Sequence, residues 1–301
     1  MDLKTNNRFC FSGDRFNVWK LGFSPIKLHE LEEFLKLYPN KTAAYELLDG
    51  FSNGFKIKYS GPRLALETKN LKSVFINPTV ALQKVENEIN VGRIAGPFQN
   101  RPISNLRCSP IGVVPKKTGG WRLITHLSYP PSNSVNDYID EQHTAVHYSS
   151  FDNAVSIVKK LGKGALIGKK DIKSAFRLLP CYPGDFDLLG FKIGSNYYID
   201  KCLPMGCSIS CKTFEQFSTF IHWLVCFKSN SKNLDHYLDD FFFAGEAGTN
   251  NCTNLMNQFD GVCERLSVPI ANEKTEGPTT ILEYLGLTID TQNMVVKYSS
   301  R

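Results

Sequence analysis

The sequence predicts an α+β fold in which helices precede antiparallel strands. Before residue 92, apolar side chains recur at helical spacing between proline, glycine and asparagine breakers. After Pro102, short β-branched and aromatic runs alternate with turn residues, as in SPIGVVP and WRLIT on either side of KKTGG. The segment HYLDDFFFAG, residues 236–245, shows the same strand–turn–strand pattern. With 301 residues and 42% hydrophobic content, the chain can bury a sizeable core divided into subdomains.

Three helices are predicted in the N-terminal part, over residues 24–39, 42–54 and 77–89. Ser24, Thr42 and Asn77 are the expected caps, because short polar side chains accept hydrogen bonds from the first backbone amides of a helix. A proline directly follows Ser24 and Asn77, where a helix tolerates it best. The apolar stripes of such helices usually face a core rather than a ligand. Residues 1–23 show no clear periodicity.

The composition indicates an intracellular protein. No apolar run approaches the length of a membrane span, and the N-terminal MDLKTNNRFCFSGDR lacks the charged-then-apolar order of a signal peptide. The nine cysteines are odd in number and scattered, without a CxxC pair or a nearby histidine pair that would complete a zinc site. We therefore expect reduced thiols in a cytoplasmic or nuclear protein that is not secreted and contacts no membrane.

The positive charge is concentrated in one segment, residues 89–136, which contains no aspartate or glutamate. Its six basic residues are Arg93, Arg101, Arg107, Lys116, Lys117 and Arg122. Without this segment the chain has 29 basic and 29 acidic residues, so the segment carries the whole formal excess of +6. Such a segment attracts polyanions, with nucleic acid or nucleotide phosphate as the natural candidates. A solvated basic face with its counter-charges elsewhere in the fold is the alternative.

A basic β-hairpin is predicted over residues 109–125. Lys116 and Lys117 enter its loop, and Arg122 lies on the returning strand. Because lysine and arginine neutralise phosphate oxygens, such a hairpin is suited to closing over a triphosphate. An exposed loop that happens to be basic is an equally open interpretation of this stretch alone.

Three aspartates are candidates for a metal site. Asp239 and Asp240 fall at the turn of the predicted hairpin, since buried charges within a continuous strand would be costly. Asp171 ends a predicted strand in ALIGKKD, 68 residues upstream of Asp239. Together they would suit two Mg²⁺ ions, which prefer carboxylate oxygens and leave positions open for substrate phosphates. Taken alone, the Asp-Asp pair is equally compatible with a solvated turn.

An ordered series of motifs resembles the reverse transcriptase family. The series is VVPKKTGGWRL at 113–123, Asp171 with Phe176, LPMG at 203–206, YLDD at 237–240, Lys274 and LG at 285–286. An ordered set is far more specific than any one of its members. Stretches such as GRIAGPF, KDIKSAFRLLP and DKCLPMGCSIS are most similar to DIRS-like retrotransposons, elements that encode a tyrosine recombinase. The resemblance covers residues 77–289.

The resemblance implies a catalytic role for each acid. Asp171 and Asp239 would be ligands of two Mg²⁺ ions, with Mn²⁺ as a substitute, and the backbone carbonyl of Ile172 would assist. Asp240 would be the third, less critical acid. Lys274 resembles a lysine that protonates the departing pyrophosphate as a general acid. An exposed lysine that only aids solubility is the plainer interpretation of that last position.

The resemblance also implies contacts with nucleotide, template and primer. Phe176 resembles the aromatic residue that excludes a ribose 2′-hydroxyl, although an ordinary core phenylalanine fits the same position. Further nucleotide-binding residues would be Arg122, one of Lys116 and Lys117 (with Lys117 preferred), and Met205 and Gly206 of the LPMG loop. Tyr237 lies where the family has a tyrosine beside the primer end, and Leu285 and Gly286, in a strand EYLGLTID, resemble the primer grip. There a close backbone approach would explain the glycine.

The implied architecture is a right-hand polymerase with fingers and palm, in which an antiparallel palm sheet packs on helices. The expected divisions are an N-terminal helical extension (1–76), fingers (77–162, with the hairpin 109–125), palm (163–290) and a truncated C-terminal tail (291–301). The thumb is expected to be largely absent, with ribonuclease H and recombinase domains elsewhere in the parent polyprotein. His126-Leu127-Ser128 replaces the Asp-Phe-Arg of many relatives, which puts polar bracing of the hairpin in doubt.

The leading functional hypothesis is a retrotransposon RNA-directed DNA polymerase, a nucleotidyltransferase that extends a primer on an RNA or DNA template with dNTPs. An RNA-directed RNA polymerase would share the palm, but the aromatic side chain at Phe176 argues against it. A catalytically silent nucleic-acid-binding remnant of a retroelement polyprotein is the alternative of a different class. The presence of all three acids and of the basic hairpin argues against the remnant.

Overall fold

The computed structural model describes residues 18–116 and 119–298. The α-helices in these ranges are α1 (Leu28–Leu37), α2 (Lys41–Asn53), α3 (Lys72–Ile76), α4 (Pro78–Val91), α5 (Phe151–Leu161), α6 (Ser208–Ser229) and α7 (Asn251–Leu266). The strands are β1 (Leu66–Glu67), β2 (Ile94–Phe98), β3 (Arg107–Cys108), β4 (Ile111–Pro115), β5 (Trp121–Thr125), β6 (Leu166–Asp171), β7 (Gly190–Ile193), β8 (Asn196–Asp200), β9 (Leu234–Tyr237), β10 (Asp240–Gly245), β11 (Glu276–Thr279), β12 (Ile281–Tyr284), β13 (Leu287–Asp290) and β14 (Val295–Tyr298). The predicted α+β fold is confirmed.

The central sheet has the order β11-β6-β10-β9, and all its neighbours are antiparallel. Phe241 and Phe243 on β10 pack into the core that contains α6 and α7. Phe242 and Ala244 point to the other face, into a second cluster with α5. Because both faces of β10 are covered, the strand has a continuous apolar run instead of alternating polar and apolar residues. This is the palm-like sheet on helices that the sequence predicts.

A second sheet, β1-β3-β7-β8-β2, lies beside the hairpin β4–β5. The hairpin pairs from Ile111 with Thr125 to Pro115 with Trp121, as predicted. Its strands are anchored by a buried cluster in which Ile111 and Val113 pack with Val85 of α4. The base of the hairpin is therefore held in a core, while its tip extends from that core.

The N-terminal helices α1 and α2 share the main core with α6. Phe51 of α2 lies edge-on to Phe217, with ring centroids 4.9 Å apart, and Tyr38 meets Phe220 at 5.3 Å. Strands β7 and β8 lie within the predicted palm range but pair with β2 and β3 of the predicted fingers. The division of the chain into domains stays a prediction.

Two of the three predicted helix caps are wrong. Helix α1 begins at Leu28, and the Ser24 hydroxyl instead donates a hydrogen bond to the Leu178 carbonyl at 2.6 Å. Helix α2 is capped by Asn40, whose side chain accepts from the Ala43 amide at 3.1 Å, so Thr42 lies inside the helix. For α2, Asn40 is a capping residue type as well suited as Thr42, whereas the N-cap position of α1 is Lys27, which makes no side-chain cap.

The predicted single strand EYLGLTID is a hairpin, and this expectation is corrected. Strands β12 and β13 pair from Ile281 with Asp290 to Tyr284 with Leu287. Leu285 and Gly286 form the turn, with φ of +47° and +82°. No heavy atom lies within 4 Å of a Cβ built on Gly286. The left-handed backbone, rather than a close backbone approach, therefore favours glycine here.

No helix within the described ranges is both long and apolar enough to cross a bilayer. The cysteines of these ranges, Cys108, Cys181, Cys202, Cys207, Cys211, Cys226, Cys252 and Cys263, are all free thiols. Most of them are buried and occupy the core as small apolar side chains.

Candidate active site

The three predicted acids meet at one end of the central sheet. Asp171 is the last residue of β6 and is the direct register partner of Asp240, the first residue of β10. Asp239 lies in the two-residue turn between β9 and β10, where Tyr237 pairs with Asp240. The backbone of the turn is tied to β6 because the Ile172 amide donates to the Asp239 carbonyl at 2.9 Å. A rigid backbone thus fixes the spacing of the acids.

The acid cluster is not a solvated turn. The side chain of Asp171 is 8% exposed, and Asp239 and Asp240 are half-buried. Lys274 Nζ donates to Asp171 Oδ2 at 2.6 Å, so a cation already neutralises part of the charge. Lys274 follows α7 in a short 3₁₀ turn that packs against β6.

Burial and mutual repulsion perturb the acids. Burial raises the pKa of Asp239 to about 6, and the negative charge of Asp171 contributes to the same shift. Burial and the charges of Asp239 and Asp171 raise the pKa of Asp240 to about 7. For Lys274, burial lowers the pKa, but the interactions with Asp171 outweigh it and leave the pKa above its usual value. The cluster therefore holds more negative charge than Lys274 alone compensates.

A pH prediction follows from these raised carboxyl pKa values. An aspartate in the unfolded chain has a pKa of about 3.9. Between about pH 4 and 7 the folded state therefore binds more protons than the unfolded state. This contribution to the free energy of unfolding is present below pH 4 and is lost as the pH rises through 7. We expect the change to be smaller in the metal-free Asp239→Asn variant. Urea unfolding across this pH range measures it, and an unaltered pH profile in the variant would contradict it.

Asp171 and Asp239 line a pocket of about 300 Å³ that is also lined by residues of the β4–β5 hairpin. Lys116 and Arg122 line the pocket from the hairpin, and Lys84 lines it from α4. Burial lowers the pKa of Lys116, and the neighbouring charges of Lys84 and Arg122 lower it further. Several positive side chains therefore share the pocket with the carboxylates.

The other described basic residues of the segment 89–136 have partners elsewhere. Arg93 Nε donates to the Phe23 carbonyl at 3.3 Å, Arg101 pairs with Glu67 at 3.2 Å, and Arg107 donates to the Asn133 carbonyl. Of these three, only Arg101 has a counter-charge elsewhere in the fold, whereas Arg93 and Arg107 are buried on backbone carbonyls. Lys117, the preferred triphosphate lysine, lies outside the described residues.

The LPMG loop forms the floor of the pocket beside the hairpin. Pro204 and Met205 line the pocket, and the Thr125 amide at the end of β5 donates to the Met205 carbonyl at 3.0 Å. Gly206 has φ of +115°, and a Cβ there would lie 1.9 Å from the Thr125 carbonyl oxygen. The close approach of the Thr125 backbone therefore leaves no room for a side chain at this position.

Asn136 provides polar bracing that the departure at residues 126–128 had put in doubt. Its Nδ2 donates to both Ser128 Oγ and the Gly206 carbonyl, each at 2.8 Å. Its Oδ1 accepts from the Ser208 amide at 3.0 Å, at the start of α6. One side chain thereby joins the segment after the hairpin, the LPMG loop and α6.

Replacing Gly206 with alanine should damage the loop. The new Cβ would meet backbone rather than a flexible side chain, and alanine is strained at φ of +115°. We expect a loss of roughly 2 kcal/mol in the free energy of unfolding, of the size that strained backbone positions cost. Urea unfolding measures it. The matched control is Gly261→Ala, because nothing lies within 4 Å of a Cβ at that position in α7; equal losses in both variants would contradict the expectation.

The position of Phe176 is compatible with both interpretations made from the sequence, and its role as a gate stays a prediction. It lines the pocket, while its ring meets the buried Phe214 edge-on, with centroids 5.8 Å apart and planes at 82°. It lies in a 3₁₀ turn that follows Ser174, whose φ is +67°. The ring is thus half-buried in the core and half-presented to the pocket.

The remaining predicted positions flank the acids. Tyr237 is half-buried and its ring lies 4.8 Å from that of Tyr148. The turn of Leu285 and Gly286 is adjacent to the cluster, because the Tyr284 hydroxyl lies 3.5 Å from the Asp240 carbonyl oxygen. Their proposed contacts with primer stay predictions.

The sequence analysis missed an ion triad on the pocket wall. Arg177 donates from Nη1 to both Asp200 oxygens at 2.7 and 2.8 Å, and from Nε and Nη2 to Glu88 at 2.9 and 2.8 Å. The triad joins α4, β8 and the turn that carries Phe176. Arg177 directly follows Phe176 in the chain, but no sequence pattern links it with residues 88 and 200.

The fold and the converging acids define the palm of a nucleic-acid polymerase. Residues 114–289 match the family model of reverse transcriptase (RNA-dependent DNA polymerase), and the chain belongs to this family. No curated protein sequence matches it.

Solved structures agree on the fold. Prototype foamy virus protease-reverse transcriptase matches with a TM-score of 0.58 and 16% sequence identity. The match covers 80% of this chain and 29% of the foamy virus protein. A foamy viral protease-reverse transcriptase dRH, in complex with double-stranded DNA, matches with a TM-score of 0.62 and 16% identity over 90% of this chain and 47% of that protein. Another such complex matches with a TM-score of 0.58 and 15% identity over 93% and 58%. The chain thus spans 29–58% of the length of these proteins.

Proposed function

We propose that the chain is an RNA-directed DNA polymerase that transfers a nucleotide from a dNTP to a primer 3′-hydroxyl. The observation that carries this proposal is the pocket in which Asp171 and Asp239 face Lys116 and Arg122. Carboxylates and cationic side chains in one pocket fit the two needs of the reaction, a metal-assisted nucleophile and a bound triphosphate.

The acids fit Mg²⁺. They offer only hard oxygen donors, and the raised pKa values of Asp239 and Asp240 indicate carboxylates that lack enough positive charge nearby. Asp171, Asp239 and Asp240 would hold two ions together with the Ile172 carbonyl. When bound, the ions lower the pKa of the primer hydroxyl and stabilise charge on the phosphates.

The other residues act on the nucleotide directly. Arg122 and Lys116 would bind the triphosphate and align it for in-line attack, with Lys117 as a further candidate. Lys274, whose pKa is raised, is protonated at neutral pH and can donate a proton to the leaving pyrophosphate. Met205 and Gly206 would support the incoming base, while Tyr237, Leu285 and Gly286 would position the primer.

The amino-acid sequences of the motifs support an origin of this chain in a DIRS-like retrotransposon. On this proposal the chain acts within a polyprotein that also contains ribonuclease H and recombinase domains. One of the foamy viral neighbours was solved with an RNA/DNA hybrid, which supports a primed RNA template as partner. A tyrosine recombinase gene in the same genomic element would support the origin, and an element encoding a different integrase would contradict it.

Primer extension tests the proposed activity. The purified chain is incubated with a DNA primer on an RNA template and dNTPs, with Mg²⁺, Mn²⁺ or a chelator. We expect extension with either metal and none with the chelator. Tight binding of primer–template without extension under any metal condition would favour the silent remnant, and preferential use of rNTPs would favour an RNA polymerase.

Replacing Phe176 with alanine should raise the use of ribonucleotides. The smaller side chain leaves room for a 2′-hydroxyl, and relieving a steric clash of this size changes selectivity by roughly 10–100-fold. The ratio of kcat/KM for dNTP and rNTP measures the effect. Phe227→Ala is the control, because Phe227 is 58% exposed and contacts Trp223 outside the pocket. An unchanged ratio in Phe176→Ala would remove the gate assignment.

A further inference from the structure

A chain of buried polar side chains lies behind the β9–β10 turn. Glu215 Oε2, on α6, accepts a hydrogen bond from the Leu238 amide at 3.1 Å. His236 Nε2 lies 3.2 Å from the other oxygen of Glu215, off the ideal hydrogen-bond direction. His236 Nδ1 lies 2.7 Å from His222 Nδ1, also on α6. These contacts therefore run from the turn to Glu215 on α6, then to His236 on β9, and finally to His222 on α6.

The turn needs external support because Leu238 is in the left-handed region, with φ of +52°. This conformation is unfavourable for a branched side chain and persists only where the surroundings hold it. Leu238 immediately precedes Asp239, so its backbone angle sets the direction of that carboxylate and of Asp240. The Glu215 hydrogen bond acts on the amide of this one residue.

Glu215 is also in an unusual place. It is 7% exposed, on a helix whose other buried side chains are mostly phenylalanines and further apolar residues of the main core. A carboxylate in such a position is costly unless hydrogen bonds compensate it. Its two oxygens are directed at the turn amide and at His236, which stacks on Phe241 of β10 with centroids 5.3 Å apart.

We propose that Glu215 is a positioning residue for the acid cluster. Glu215 holds the Leu238 amide, and His236 and His222 orient Glu215. This inference rests on the proposed polymerase function of the acids. Glu215 touches none of the reacting groups; it acts through the backbone of the turn.

The hydrogen-bonding roles of His222, Glu215 and His236 are consistent with one another. Burial, and next the neighbouring His236, lower the pKa of His222 to about 4, so this ring is neutral at physiological pH. Glu215 can only accept, which places a proton on His236 Nε2. The His222 Nδ1–H can then donate to His236 Nδ1, which accounts for the short separation of the two nitrogens.

A metal ion fits the same histidines less well. His222, Asp235 and His236 offer ligand atoms within 4.8 Å of one another. Two nitrogens bound to one tetrahedral zinc lie about 3.3 Å apart, however, and the observed 2.7 Å is a hydrogen-bond distance. Both oxygens of Asp235 are also within 2.7 Å of the Ser149 hydroxyl, which donates to this carboxylate.

The test compares Glu215→Ala with Glu215→Gln. Glutamine keeps an oxygen for the Leu238 amide, whereas alanine removes the acceptor. In Glu215→Ala we expect kcat for single-nucleotide incorporation to fall by roughly 10–100-fold, because the loss of a hydrogen bond to a charged group has this size. The change in KM for dNTP should be smaller. Glu215→Gln should retain most of kcat. Gln216→Ala is the matched control, because the side-chain amide of this next residue donates to the exposed Glu46 and not to the turn.

A second substitution separates positioning from folding. Glycine adopts positive φ without cost, so Leu238→Gly added to Glu215→Ala should recover at least part of kcat. Amide hydrogen exchange in the peptide that spans residues 234–240 should be faster in Glu215→Ala than in wild type or Glu215→Gln. This exchange readout judges the inference even if the wild-type chain extends no primer.

Three results would overturn the inference. They are unchanged exchange in Glu215→Ala, a loss of kcat in Glu215→Gln as large as in Glu215→Ala, and a Zn²⁺-induced rise in melting temperature that His222→Ala abolishes. The last result would assign the histidines to a metal site instead.

Discussion

Asp239→Asn is expected to abolish primer extension while leaving the affinity for primer–template nearly unchanged. Asparagine keeps the size of the side chain but removes the negative charge that a divalent ion needs. The rate of single-nucleotide incorporation should fall by more than about a hundredfold, the scale of losing one electrostatic stabiliser of a transition state. Asp171→Asn should behave alike, because Asp171 is 6% exposed and lies in register with Asp240.

Two measurements on the same variants decide the meaning of this loss. Single-turnover incorporation reports chemistry, and equilibrium binding of labelled primer–template reports affinity. Asp152→Asn is the control, since Asp152 lies exposed on α5. If Asp239→Asn lowers affinity as much as it lowers incorporation, the acids serve binding, and the silent remnant becomes the better account.

The second large effect concerns stability. Arg177→Ala should lower the free energy of unfolding by roughly 3 kcal/mol, because it leaves the buried carboxylate of Asp200 without its partner. The Asp200 side chain is 5% exposed, and its pKa is already raised by burial despite the arginine. Urea unfolding at neutral pH measures the change.

Matched variants separate the buried charge from lost packing. Arg177→Ala with Asp200→Asn should recover part of the loss, since no unpaired charge remains. Lys36→Ala removes an exposed ion pair with Glu33, which solvent screens, and should cost far less than Arg177→Ala. Equal losses for the buried and the exposed pair would contradict the role assigned to the triad.

The elements that could be predicted from sequence are those specified by neighbouring residues. The β4–β5 and β9–β10 hairpins and helix α4 follow from local alternation, turn residues and the Asn77-Pro78 start. The convergence of Asp171 with Asp239 followed from the order of family motifs, because no local pattern relates strands so far apart in the chain. The spatial arrangement of the acids agrees with that expectation, although their roles stay proposals.

Other features depend on contacts that the sequence does not encode locally. Leu285 and Gly286 form a turn because β12 pairs back on β13, and Leu-Gly is not one of the dipeptides that mark a tight hairpin turn most strongly. Arg177 and Glu215 have defined partners only once α4, α6 and the sheets are packed. A buried charge looks the same in sequence as a solvated one, so its importance emerges only from the fold.

Counting bound Mn²⁺ ions tests the central claim most directly. Electron paramagnetic resonance of the chain with a chain-terminated primer, template and matching dNTP reports how many ions are held. Two bound ions in wild type, with fewer in both Asp171→Asn and Asp239→Asn, is the predicted result. Binding of Mn²⁺ that neither substitution alters would show that these carboxylates do not form the metal site.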